Sequence, residues 1–190
     1  MPAKRRSYAA VVKAAERSFR AAKVAHVFVG ALSVNAFGVP RTTQDVDVIA
    51  RYRMEDIPTL VLELRREGFR VGLEDLRDSL KDGSHCTLDD TLSDFRVDLA
   101  PTGVNAREDA VAQAVLVRWK GTSLPISSPE HTIVMKLVFG SEQDLEDALG
   151  IYLRQKGRLN LRTMRAFARE RRVAPALRQL EGRARNLTNR

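Results

Sequence analysis

The sequence predicts an α/β domain with a C-terminal helical region, and three features of the 190-residue chain carry that prediction. The stretch from Phe28 to Ala50, FVGALSVNAFGVPRTTQDVDVIA, reads as strand, glycine turn, short helix, strand. The middle of the chain mixes short strand-type runs with helical stripes. From Ser128 onward only the helical period recurs, with many arginines on the polar side.

Composition bounds the class. With 44% hydrophobic and 29% charged residues the chain is globular, of a size for one domain or one domain and a small appendage. Cys86 is the only cysteine, so no intramolecular disulfide can form and a reducing, cytoplasmic home is expected. No apolar run nears the roughly 18 residues of a membrane span. The start, MPAKRRSYAA, leads into a helix bearing Lys13, Glu16 and Arg17, unlike a signal peptide. Charge is unevenly placed: residues 1–23 hold seven Lys/Arg and one Glu, 24–155 hold 14 and 21 Asp/Glu, and 156–190 hold 11 and two. An acidic middle between basic ends suits a metal-binding core whose flanks hold a polyanion. The ends could equally pair with the acidic core.

The elements follow in order. Ser7 caps a helix to about Ala22, with Tyr8, Val11, Val12, Ala15, Phe19 and Ala22 as its apolar stripe. His26 to Val29 is a strand, Gly30 ends it, and Ala31 to Phe37 is a short helix closed by Gly38 and Pro40. Asp45 to Ile49 is the next strand. Met54 to Arg66 is a helix with Pro58 near its start and Gly68 beyond it. Phe69 to Val71 is a short strand, Leu73 to Leu80 a short helix or loop, and Lys81-Asp82-Gly83 a turn. His85 to Leu88 and Phe95 to Leu99 are strands around an acidic loop, Asp89 to Asp94. A helix or strand from Asp109 to Val117 precedes a hairpin through Trp119 and Ile126; Trp119 reads as a packing residue, with base stacking as the alternative. Ser128, Pro129 and Glu130 start a helix to Phe139 that turns Ile133, Val134, Leu137 and Val138 inward. The next helix, from near Glu142 to Lys156, buries Leu145, Ala148, Leu149 and Tyr152. Asn160 caps a helix with Leu161, Met164, Phe167 and Ala168 inside and Arg162, Arg165 and Arg169 outside. Pro175 opens the last helix, to about Arg185, and NLTNR frays.

The chemistry centres on Asp45 and Asp47. Side chains alternate along a strand, so both acids point one way while Val46 and Val48 point into a core. Two carboxylates on one face repel unless a cation separates them, and Mg²⁺ takes a few carboxylate oxygens while leaving positions for phosphate. A solvated edge strand is the plain alternative. Upstream, the helix N-terminus at Ala31 to Ser33 offers free N–H groups to an anion, Gly30 permits close approach, and the Ser33 hydroxyl adds a donor. Cys86 and His85 point to opposite faces, and with only His26 and His131 elsewhere a zinc site is not expected; Cys86 reads as a small buried residue.

These residues resemble the signature of the DNA polymerase β-like nucleotidyltransferase superfamily: an apolar residue, Gly and Gly or Ser, a spacer of about ten residues, then Asp-h-Asp-h. Gly30, Ser33, Gly38, Arg41, Thr43, Asp45 and Asp47 resemble the narrower G-G-x-A…G-x-x-R-x-T-x-D-h-D pattern of bacterial AbiEii-type nucleotidyltransferases, which include toxins of toxin–antitoxin pairs. Two positions depart: Ala31 replaces the second glycine and Ser33 the small alanine. The stretch SPEHTIVMKLVFGSEQDLEDA resembles the family's second motif, with Lys136, Asp144 and Asp147 matching and Ser141 standing where many relatives have arginine. FRVDLA resembles the strand that carries the third acid, which points to Asp98; Asp94 is the rival, and Asp89 and Asp90 rank lower because they fall in the expected loop.

The resemblance spans residues 24–170 and implies a polymerase β-like nucleotidyltransferase fold, a mixed sheet flanked by helices. Residues 1–140 would form the core with its N-terminal helix, and 141–190 a basic helical region packed on it. The implied reaction moves a nucleoside monophosphate from an NTP to a hydroxyl and releases pyrophosphate. Asp45, Asp47 and Asp98 would hold Mg²⁺ or Mn²⁺. Gly30, Ala31 and Ser33 would hold phosphates, and Arg41 and Lys136 would neutralise the triphosphate. Asp144 and Asp147 would orient Lys136 or the substrate; otherwise they cap a helix while Lys136 snorkels to solvent. The implied partners are the NTP, RNA (tRNA ends) and a cognate antitoxin. Two other readings stay open: a small-molecule nucleotidyltransferase of the aminoglycoside-modifying sort, and an inactive relative that only binds RNA or protein.

Overall fold

In the computed structural model, which describes residues 5–103 and 105–188, the expected caps and turns set most element boundaries. The described elements run α1 (Tyr8–Ala21), β1 (Ala25–Phe28), α2 (Gly30–Phe37), β2 (Asp45–Arg51), α3 (Ile57–Arg66), β3 (Phe69–Arg70), α4 (Leu73–Asp82) and β4 (Cys86–Asp90). Then come β5 (Arg96–Pro101), α5 (Asn105–Ala112), β6 (Ala114–Trp119), β7 (Thr122–Ser127), α6 (Pro129–Phe139), α7 (Glu142–Arg154), α8 (Leu161–Glu170) and α9 (Ala174–Thr188). Ser7, Ser128 and Asn160 each accept a backbone N–H at the helix start foreseen for them. No described helix is long and apolar enough to cross a membrane.

The chain divides into two compact units: Met1–Val29 with Thr42–Ile126, and Gly30–Arg41 with Ser127–Arg190. The first is built on a seven-stranded mixed sheet, counted among the described residues, in the order β3-β4-β5-β2-β1-β7-β6. Strand β2 runs antiparallel to β1 and parallel to β5. The valines of β2 and β5 explain this centre: Val46, Val48 and Val97 are buried with Leu99, while the alternate residues turn to the other face. Helix α1 buries Val11, Val12, Ala15 and Phe19, as its stripe predicts. Trp119 packs edge-to-face on Tyr8 at 6.4 Å, and the two-residue turn Lys120-Gly121, with both φ positive, leads into β7.

Several boundaries differ from the expectation. Helix α3 begins at Ile57, not Met54, and α4 continues through Lys81 and Asp82 to a left-handed Gly83. Asp89 and Asp90 belong to β4, not to a loop. The Arg6 guanidinium, 2.8 Å from the buried Asp90 carboxylate, explains why an acid can end a strand inside the fold. Val138, Leu145 and Leu161 are exposed, not inward. The last helix reaches Thr188, so Asn186 to Thr188 are helical; Asn189 and Arg190 lie outside the described residues.

The second unit packs α2 with the four C-terminal helices. Its core joins Val34, Ile133, Val134, Ala148, Ile151, Met164, Phe167, Leu177 and Leu180. The end of α2 is held by side chains at the C-terminal end of α7: Arg154 donates to the Gly38 carbonyl at 2.7 Å, and Gln155, just after the helix, to that of Phe37 at 2.9 Å. Gly38 is required here by contact. A Cβ would sit 2.8 Å from Ile151 Cγ1 and 3.1 Å from the Val34 carbonyl. Gly38→Ala is therefore expected to destabilise the protein by about 1–3 kcal/mol, read as a lower urea midpoint at unchanged slope.

Candidate functional site

The acid face lies in the first unit. Asp45 and Asp47 occupy alternate positions of β2, and Asp98 stands opposite Asp47 in the parallel register of β5. All three are half-buried and share the face opposite the valine core. Arg96 stands opposite Asp45, and its Nε lies 2.7 Å from Asp45 Oδ1. That hydrogen bond, then the charges of Asp45 and Asp98, raise the Arg96 pKa above its ordinary value. Thr87 on the neighbouring β4 donates to Asp98 Oδ1 at 2.7 Å, and Tyr8 donates to the Asp45 carbonyl at 3.4 Å. Asp94 sits in the turn before β5, largely exposed and ion-paired with Arg5.

The donor set suits a hard divalent ion: three carboxylates, no sulfur or imidazole, on adjoining strands. Among the described residues no three such side chains are gathered closely enough to hold a metal as they stand. Asp45 is instead turned to Arg96 and Asp98 to Thr87, which is how repelling carboxylates settle when a guanidinium and a hydroxyl are the nearest partners. The strand period alone places Arg96 on this face; its contact with Asp45 and the part played by Thr87 depend on strand register. The signal for Arg96 was present, since it lies two residues before Asp98 and so on the same side of one strand. Thr87 had none, because its pairing opposite Asp98 depends on the β4–β5 register. Cys86, next to Thr87, has its thiol pushed up to about 11 by burial and then by the charges of Asp75 and Asp98, which rules out a ready thiolate nucleophile at neutral pH.

The other residues singled out in the sequence lie in the second unit. Gly30 opens α2 with φ +58°, a left-handed value that glycine adopts without strain. Ala31 and Ser33 are both buried, at 4% and 0% exposure. Arg41 is fixed by Asn35, whose side chain accepts the Arg41 N–H at 2.7 Å and donates to its carbonyl at 3.0 Å. Its guanidinium reaches Asp147 at 3.3 Å.

Lys136 does not snorkel. It is buried, and its Nζ lies 2.6 Å from Asp144 Oδ1 and 3.0 Å from Asp147 Oδ2. Ser141 caps α7 by accepting the Asp144 N–H while donating its hydroxyl to Asp144 Oδ2 at 2.6 Å. Burial works to raise the Asp144 pKa, but the hydrogen bonds from Lys136 and Ser141 outweigh it and hold the group below the usual carboxylate value. Two cations and two acids thus neutralise one another around Lys136. The motif pointed to these four residues and offered Asp144 and Asp147 as partners of Lys136; the contact of Arg41 with Asp147 needed the fold.

The fold is that of known nucleotidyltransferases. The antibiotic-resistance factor ANT(2'')-Ia in solution superposes with a TM-score of 0.57 at 14% identity, covering 89% of this chain and 95% of that one. Its complex with adenylyl-2''-tobramycin gives 0.55 at 15%, over 85% and 96% of the two chains. The lincosamide antibiotic adenylyltransferase LnuA, bound to lincomycin, gives 0.50 at 15%, over 78% and 98%. No protein-family model and no curated protein matches the chain.

Proposed function

We propose that the chain is a divalent-metal-dependent nucleotidyltransferase, of the AbiEii type that its motifs resemble, which transfers a nucleoside monophosphate from an NTP to a hydroxyl. The observation that carries this reading is the placement of Asp45, Asp47 and Asp98 on one face of two parallel strands. In the reaction the acceptor oxygen bonds the α-phosphorus, the bond from that phosphorus to the β-phosphate oxygen breaks, pyrophosphate leaves, and the hydroxyl proton passes to a carboxylate of the acid face. Asp45, Asp47 and Asp98 would hold Mg²⁺ or Mn²⁺, which supplies charge neutralisation for phosphoryl transfer. Arg96 balances Asp45 until then. Gly30, Ala31 and Ser33 are assigned to the phosphates, Arg41 to the triphosphate charge, and Lys136, oriented by Asp144 and Asp147, to the leaving group.

The acceptor we favour is RNA, in keeping with the basic ends of the chain; a cognate antitoxin belongs to the same reading. A small-molecule acceptor is the second reading. It is favoured by the names of two fold neighbours, an antibiotic adenylyltransferase and an antibiotic-resistance factor, and by the acidic middle of the chain, which would attract a cationic acceptor. A binding-only protein gains nothing from three carboxylates beside a polyanion, which argues against that third reading. The test is incubation with Mg²⁺, each α-labelled NTP in turn and total tRNA, alongside the Asp45→Asn/Asp47→Asn variant. Label on RNA with the unmodified protein alone is the expected result. No label on RNA, but label on an aminoglycoside or lincosamide, would move the assignment to the second reading.

A further inference from the structure

The exposed side of α8 carries a row of arginines, of which Arg165 alone has a described ion-pair partner within the fold. Arg162, Arg165 and Arg169 fall at i, i+3 and i+7, so they form one stripe, opposite the buried Met164, Phe167 and Ala168. Arg158 precedes the helix and Arg172 follows it, both exposed. Arg165 is paired with Glu181 at 2.9 Å. Among the described residues Arg162, Arg169 and Arg172 form no ion pair.

Stability accounts for only part of the stripe: Arg169 lies in the last turn, where the helix dipole favours a cation, but Arg162 does not. Arg162 lies in the first turn of α8, where no acid is present and where the helix dipole disfavours a cation. Like charges three and four residues apart also repel. The pattern makes sense when an external polyanion supplies the missing charge. Arginine matches phosphate through its fork of N–H donors. A membrane surface is a poor fit, because the apolar side of α8 is already buried in the core and has nothing to insert.

We propose that the outer face of α8, through Arg162, Arg169 and Arg172, binds the phosphodiester backbone of a polynucleotide. This deepens the RNA-acceptor reading and rests on it for the purpose of the surface. Its test needs neither NTP nor metal, so binding can stand or fall apart from transfer.

The experiment is fluorescence anisotropy with a labelled RNA oligonucleotide and a DNA of the same sequence, in EDTA, over a range of salt. The variant is R162Q/R169Q/R172Q. A control, R70Q/R77Q/K81Q in the other unit, removes the same net charge, from two exposed sites and one half-buried site. The stripe variant is expected to bind about tenfold or more weakly, with the slope of log K against log salt smaller by about two, roughly 0.7 per lost phosphate contact on a single strand. The control is expected to lose no more than about twofold, since it leaves the phosphate contacts in place. R162K/R169K/R172K, which keeps the charge, is expected to retain most of the binding and so guards against misfolding as the cause. The RNA and DNA arms name the source of the backbone. Unchanged affinity in the stripe variant would overturn the proposal, as would an equal loss in the control. Tighter binding to phosphatidylglycerol vesicles than to either oligonucleotide would overturn it too.

Discussion

Asp98→Asn is expected to abolish measurable nucleotidyl transfer, lowering kcat/KM about 10³-fold or more, while Asp94→Asn leaves it within about threefold; a thousandfold corresponds to about 4 kcal/mol of lost transition-state stabilisation. The contrast follows from position. Asp98 stands beside Asp47 on the acid face and is oriented by the Thr87 hydroxyl. Asp94 precedes the strand, is largely exposed, and is spent on Arg5. Asparagine keeps the shape of the side chain and can still accept from Thr87, so the fold should survive; removal of a like charge beside Asp47 should even steady the unliganded sheet. Label transfer and urea denaturation on the same preparations separate the two effects. Loss of activity in the Asp94 variant with retention in the Asp98 variant would refute the assignment of the third acid.

Much of this face was legible before the fold was known, because strand periodicity is local. D-V-D-V alone puts two acids on one side, and F-R-V-D-L puts Arg96 with Asp98. The caps were legible for the same reason, since Ser7, Ser128 and Asn160 act on amides three residues ahead. What failed to show was set by distant partners. Asp90 looked like a loop acid because its counter-charge, Arg6, is 84 residues away in the chain. The motif offers Asp147 as an acid that orients Lys136, but its second partner, Arg41, lies 106 residues earlier, and no local pattern pairs those two. The period alone turns Leu145 inward, yet it is exposed, while α7 buries Asp147 against the buried Lys136, a pairing that apolar periodicity does not register. The return of α2 to the C-terminal helices is likewise a property of the chain path, invisible to any local window.

Lys136→Met is expected to destabilise the protein by about 3 kcal/mol or more, the cost of leaving buried acids without their cation. Methionine fills much of the lysine stem, so the loss is electrostatic, not a cavity. Asp147, 5% exposed, would keep only the longer contact to Arg41 and the Gln143 amide, and Asp144 would keep only Ser141. Pairing the change with Asp144→Asn should return part of the loss, giving a coupling of about 1–3 kcal/mol in a double-mutant cycle. The pH dependence has a definite sign. Asp144 titrates below its unfolded value in the folded protein, so its contribution is complete above that unfolded value and fades as pH falls through the lowered one. Removing Lys136 takes away one of the three hydrogen-bond donors that hold it low, the other two being the hydroxyl and the backbone N–H of Ser141. The gap between variant and unmodified protein should therefore be widest near neutral pH, begin to narrow below about pH 4, and close as pH falls through the lowered value, where a protonated Asp144 no longer needs the ammonium. Urea midpoints across that range give the answer directly. A gap that stays constant down to low pH would mean that the loss does not come from the charge of Asp144, and that its pairing with Lys136 contributes little to holding α6 and α7 together.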